Sequence, residues 1–256
     1  MIRSKKIHKK YADLEADIDA IIQNFETAGK AFGNQDRNTL KEFRLGYQEV
    51  IVKSFRVPNI INQIAYKFFR KSKAERSYTY ANKLKELGVG TPDPIAFYEF
   101  ETLFLFKNSY YLSVHVEADL TYRALTTNLN YPNHEAILRA FTRFTFDLHE
   151  KEIHFLDHSP GNTLIKINKD SYDFYLVDLN RMSFGNLDLE TRIKNFARLT
   201  IHKSMVEIMS DEYAKCIGEP FEKVFQLMWQ QTEAFQAKYH RKQRLKKRLK
   251  FWKKYD

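Results

Sequence analysis

Residues 153–164 read IHFLDHSPGNTL, and YLVDLNRM follows at 175–182. Asp157 and Asn162 stand five apart on a short loop containing Pro160 and Gly161. That spacing can supply an aspartate that takes a proton from an attacking hydroxyl and an amide oxygen that helps hold Mg²⁺. Sixteen residues later, Asp178 ends the apolar run Phe174-Tyr175-Leu176-Val177, which reads as a buried strand. There it would provide a second metal-binding carboxylate. An aspartate and an asparagine at this spacing recur by chance, and a chance Asp on a loop is the plainer reading, so this chemistry requires a phosphate-binding lysine upstream.

The chain has 256 residues, enough for one large domain or two lobes around a cleft. An apolar content of 43% with 15% aromatics is ample for a core, which argues against wholesale disorder. A single cysteine, Cys216, excludes an intramolecular disulfide and a cysteine-only zinc site, and suits a reducing compartment. The first residues, MIRSKKIHKKYADLEADID, lack the apolar stretch of a signal peptide, and no apolar run of about 18 residues reads as a membrane span. The formal charge of +10 predicts an acidic partner: nucleotide, nucleic acid, anionic lipid or anionic sugar.

Residues 1–24 read as a surface helix with Ile18, Ile21 and Ile22 as a short apolar stripe. From Phe25 to Phe55 the pattern becomes β, with turns expected near Gly33-Asn34 and Gly46. Glycine lets backbone N–H groups approach phosphates closely, so the Gly33 turn is a candidate nucleotide lid, although a plain hairpin has the same sequence. Lys53 closes the strand VIVKSF, where a phosphate-binding lysine would stand; a surface lysine is the plainer reading. A glutamate on the next helix would discriminate, and residues 61–87 supply one in Glu75, with Glu86 as a competitor. Two strands follow over 92–116, with a turn expected at Lys107-Asn108-Ser109. Tyr110 to Val116 would run into a hinge whose backbone, His115 to Glu117, would meet a nucleotide base; Glu117 is the nucleotide-binding residue expected there. Residues 133–151 have apolar positions at helical spacing and would deliver the chain to Asp157, with His149 as a helix-end residue. Further helices are expected from about Leu189 and after Gly218. From Lys238 to Asp256 there are ten Lys/Arg and one acid. Leu245, Leu249 and Trp252 form a narrow stripe within this basic stretch, the composition of a helix lying on an anionic membrane. A nucleic-acid tail or a solubilising tail has the same composition.

Taken together, VIVKSF, KAERSY, GVGTPDPIAFYE, LDHSPGNTL and VDLNRM resemble the lipopolysaccharide core kinases, the group that phosphorylates Kdo or heptose sugars of lipid A–core. The likeness runs from about Gly29 to Leu199. It implies an α+β, bilobal, protein-kinase-like fold: a small β-rich N-terminal lobe with one main helix (1–116), and a mostly helical C-terminal lobe (117–256) ending in a basic amphipathic helix over 236–256. The implied reaction is ATP- and Mg²⁺-dependent phosphorylation of a sugar hydroxyl on a lipid-linked acceptor, at the cytoplasmic face of the inner membrane. Lys53 would hold the α/β-phosphates and Glu75 would orient it. Asp157 would be the base, Asn162 and Asp178 would ligate the metal, and the Gly33 turn would cover the phosphates. Arg181 would contact an anionic acceptor, and residues 238–256 an anionic membrane surface, with no nucleic acid expected.

Two departures bear on this. Phe155 occupies the position two before Asp157 where the kinase catalytic-loop motif H-R-D-x-x-x-x-N has its histidine, and His154 is shifted by one, which predicts altered packing of the loop. Only about ten residues separate Asp178 from the next helix, too few to grip a peptide, which favours a small or lipid-linked acceptor. The alternatives are a soluble small-molecule kinase of the aminoglycoside or choline type and a non-catalytic kinase-like protein that binds RNA or membrane.

Overall fold

The computed structural model describes residues 1–33, 38–57 and 59–252, with side chains up to residue 247. The chain forms two compact units, Met1–Glu117 with Tyr175–Arg181, and Ala118–Phe174 with Met182–Asp256.

In the first unit the order is β1 (Ile2–Ile7), a 3₁₀ turn (Lys9–Leu14), α1 (Glu15–Gln23), β2 (Lys30–Ala31), β3 (Asn38–Leu45), β4 (Gln48–Phe55), α2 (Ile60–Phe68), α3 (Lys73–Glu86), β5 (Pro94–Glu101) and β6 (Phe106–Val114). The six strands make one antiparallel sheet in the order β1-β5-β6-β4-β3-β2. Side chains alternate across a strand, so each face of this sheet has its own composition. Val50 and Val52 face the main core with Leu45, Ile95, Tyr98 and Leu112, and α1 closes that side with Ile18 and Ile22. Lys53 lies on the opposite face. There Phe55 and Phe97 pack against Ala74 and Tyr78 of α3.

The N-terminal segment departs from expectation. Residues 2–7 carry only two apolar side chains and give no strand signal, yet β1 pairs with β5 because an otherwise open sheet edge offers its backbone groups. Lys5 then bonds Asp19 of α1 at 2.7 Å, and Tyr98 donates to the same carboxylate at 2.7 Å, so α1 is a packed element. The expected single helix over 61–87 is two helices. Ser72 caps the second by accepting from the Glu75 N–H, and an N-cap forces extended backbone where a continuous helix would need helical geometry. The β5–β6 turn falls at Thr102–Leu105, and Lys107 to Ser109 lie within β6. The Gly46 turn joins β3 to β4 as expected, while Asn34 lies outside the described residues.

The second unit contains β7 (Leu120–Thr121), α4 (Tyr122–Thr127), α5 (His134–Glu150), β8 (Ile153–Phe155), β9 (Thr163–Ile167), β10 (Tyr172–Leu176, whose last two residues belong to the first unit), β11 (Met182–Phe184), α6 (Leu189–Lys194), α7 (Lys203–Ile217) and α8 (Phe221–Trp252). Small sheets β10-β9-β7 and β11-β8 frame the loop that carries Asp157. Tyr122, Phe141, Phe196, Met209, Tyr213 and Met228 centre the helical core. The helices expected after Gly218 and over 236–256 are one helix, α8, because nothing between them breaks the backbone pattern: no glycine or proline occurs from Phe221 to Trp252. Leu249 and Trp252 of its stripe have side chains outside the described set. No described helix is long and apolar enough to cross a membrane.

Candidate active site

In the first unit, β4 carries Lys53 and the segment after β10 carries Asp178. The Lys53 ammonium bonds the Asp178 carboxylate at 2.6 Å, and the Asn180 amide donates to the same oxygen at 2.5 Å. Asp178 has φ +60°, a left-handed conformation rare for a residue with a Cβ, held by what surrounds it. Its approach is set by the loop after α3: the Leu176 N–H donates to the Gly90 carbonyl at 2.9 Å, and Thr91 Oγ1 donates to the Leu176 carbonyl at 2.8 Å. The GVGTPDP stretch therefore braces the backbone just before Asp178.

Strand register places Leu40, Glu42 and Arg44 of β3, and Tyr111 and Ser113 of β6, on the face of Lys53 with Ile51 and Glu49. At the Gly46 end of this face is a cavity of about 450 Å³ lined by Glu49, Val114, His115 and Glu117, among others. His115 Nδ1 lies 2.8 Å from Glu42 and 3.3 Å from Glu49. Glu117 is exposed and ends the first unit. Four residues of extended strand separate Glu49 from Lys53, about 13 Å. Gly33 has φ +62° and open space where a Cβ would stand, immediately before residues that are not described.

Glu75 does not pair with Lys53. It begins α3, where its carboxylate suits the helix N-terminus, and its ion pair is with Lys71 at 3.2 Å. The acid on Lys53 is Asp178, 125 residues away in sequence. Arg181 is exposed, with no ion pair among the described residues.

In the second unit, the Asn162 amide donates to the backbone carbonyl of Asp157 at 2.8 Å, and its N–H bonds the Ser159 carbonyl at 2.9 Å. This closes the loop on itself and leaves the amide oxygen of Asn162 as the remaining donor atom. Arg198, in the turn between α6 and α7, bonds the Asp157 carboxylate at 2.5 Å and lies over the Phe235 ring of α8. No sequence signal points to Arg198, 41 residues from Asp157 in the stretch expected to be helical from about Leu189. Asn180, two residues after Asp178, is in sequence only a polar neighbour, and the fold makes it a partner of that carboxylate.

The departure from H-R-D has a structural answer. Phe155 is fully buried, and its carbonyl accepts from Asn195 Nδ2 at 2.9 Å. The Asn195 oxygen meets His149 Nε2 at 3.3 Å, and His149 Nδ1 meets the Tyr213 hydroxyl at 2.8 Å. His149 at the end of α5 and Asn195 after α6 thus hold the loop strand, while His154 pairs in register with Ser183 of β11. His158 is buried against the rings of Phe141 and Phe155. Burial lowers the pKa of His149 to about 4 and that of His158 to about 3, so both are neutral near pH 7.

Asn195→Ala is expected to cost roughly 1–3 kcal/mol by leaving buried partners unsatisfied, read as a lower unfolding midpoint in denaturant. Acid is expected to act on the same network. Unfolded His149 binds its proton below about pH 6.5, while the folded residue resists until about pH 4. Its contribution is intact above pH 6.5 and is lost as pH falls toward 4, by on the order of 3 kcal/mol. A melting temperature that stays flat from pH 6.5 to 4.5 would contradict the buried neutral state.

Within the first unit Asp178 offers a carboxylate, and within the second Asn162 offers an amide oxygen, each an oxygen donor of the type a hard divalent cation takes. A scan against protein-family models gives no match, and a comparison with curated proteins gives none either. Among solved structures, that of WaaP in complex with acyl carrier protein superposes with a TM-score of 0.63 at 13% identity, covering 93% of this chain and 98% of that one. The chain has a mixed α/β, kinase-like fold with an antiparallel N-terminal sheet and a helical C-terminal unit.

Proposed function

We propose that this protein is an ATP-dependent phosphotransferase acting on a sugar hydroxyl of a lipopolysaccharide inner core, Kdo or heptose. The observation that carries the phosphotransferase reading is the Lys53–Asp178 ion pair, built between a sheet strand and a left-handed turn. A cation and a metal-binding acid held together in this way are what triphosphate chemistry needs, and the kinase-like fold supports it. The acceptor class rests on the motif resemblance and on the short segment between Asp178 and α6.

Lys53 would neutralise the α/β-phosphates, with the face carrying Ile51 and Ser113 beneath the nucleotide and Glu117 at its base end. Mg²⁺ held by Asp178 and Asn162 would neutralise the β/γ-phosphate oxygens. Asp157 would orient the acceptor hydroxyl and take its proton, and Arg198 would position that carboxylate. Glu75 would support Lys53 only after leaving Lys71. Arg181 would contact an anionic group of the acceptor. The basic half of α8 would lie on the anionic inner face of the membrane that carries the acceptor, raising its effective concentration.

The test is transfer of labelled γ-phosphate from ATP, with Mg²⁺, to Kdo-bearing lipid A and to a heptose-bearing core. Label on one sugar identifies the acceptor. Label on an aminoglycoside or choline with none on either core would replace the acceptor class while keeping the reaction. Absence of nucleotide binding would overturn the reading.

A further inference from the structure

Helix α2 turns its apolar side to solvent. Ile61, Ile64 and Phe68 lie along one helical face and are exposed, as is Phe69 just beyond; Ile61 and Phe69 are 79% and 83% exposed. The opposite side of the helix is the one seated on the sheet, with the Tyr66 ring 5.8 Å from Phe106. The β5–β6 turn adds Leu103 and Phe104, 75% and 72% exposed. Lys67 joins the two segments by donating to the carbonyls of Thr102 at 2.9 Å and Leu103 at 2.5 Å. The exposed side chains therefore belong to one locally braced patch, larger than scattered surface residues account for.

The charge around the patch identifies its occupant. Residues 56–73 contain five Lys/Arg and no Asp or Glu. Glu101 and Glu75 neutralise Lys67 and Lys71. Arg56, Arg70 and Lys73 have no ion pair among the described residues, and Arg70 lies over the Tyr66 ring at the edge of the patch. Aliphatic and aromatic side chains rimmed by unneutralised cations match the boundary between acyl chains and anionic headgroups.

We propose that α2 and the β5–β6 turn form a membrane-docking face that inserts Ile61, Phe68, Phe69 and Phe104 into an anionic bilayer. This deepens the membrane part of the reading above, but it rests on α2 and is separate from the contact assigned to α8.

The test uses the full chain with vesicles of phosphatidylcholine alone or mixed with phosphatidylglycerol. The wild type is expected to sediment with the mixed vesicles. The combined variant Phe68→Ser, Phe69→Ser, Phe104→Ser, with α8 untouched, is expected to lose about tenfold or more of that partitioning. Its nucleotide binding should persist, which separates failure here from failure of the phosphotransferase reading. As a readout independent of that variant's folding, the emission that Phe104→Trp adds to that of Trp229 and Trp252 should shift to the blue on adding mixed vesicles. Undiminished vesicle binding by the triple variant, or an unshifted Trp spectrum, would overturn the proposal. So would self-association of the wild type, abolished by the triple variant, without vesicle binding.

Discussion

Asp157→Asn is expected to lower phosphoryl transfer by about 10²–10⁴-fold while nucleotide affinity stays near that of the wild type. The substitution keeps the size of the side chain and the loop closure, because the Asn162 bond is to the backbone carbonyl of residue 157. What is lost is the carboxylate proposed as proton acceptor, with the charge that Arg198 holds. Single-turnover transfer and nucleotide binding should be measured on the same preparation. A loss below about tenfold would remove Asp157 from the role of base. Arg198→Gln should then have a smaller effect, expressed in kcat more than in KM for ATP, since it acts through Asp157.

Lys53→Met is the second large effect. The other cations on that sheet face, Arg44 and Lys30, lie opposite Glu49 and Glu42, so the ammonium proposed to meet the phosphates has no substitute at its own position, and kcat/KM for ATP should fall by about 10²–10³-fold, the scale of losing one preorganised charge-stabilising donor. Stability should change by no more than about 1 kcal/mol. The side chains of the pair retain 14% and 30% exposure, so solvent screens the ion pair and can reach the remaining carboxylate. Unchanged nucleotide affinity and turnover would mean that Lys53 only secures Asp178. Large unfolding with no specific effect on ATP would point the same way.

The sequence made the local elements legible where short-range rules act. Alternation up to Lys53 marked β4, the spacing of Ile137, Leu138 and Phe141 marked α5, and the Pro-Gly loop carried Asp157 and Asn162 within hydrogen-bonding reach of one another. It misread elements whose existence depends on a distant partner. The strand β1 has few apolar residues and exists because β5 offers an edge. The break between α2 and α3 is set by a cap at Ser72 that a continuous apolar pattern conceals.

Residue types and short spacings determined which chemistry this chain can carry: an acid and an amide five apart, a lysine on a strand, and an acid at a strand end. They also determined the basic C-terminal half of α8, because charge is a property of composition. Tertiary structure decided the partners. It set Asp178 and not Glu75 against Lys53, brought Arg198 to Asp157, gave the bracing of Phe155 to Asn195 and His149, and left the apolar side of α2 in solvent. Each of these joins residues many positions apart, or turns a helix toward or away from the core. Ion pairs and buried hydrogen bonds depend on distances of a few ångströms that only the folded backbone sets.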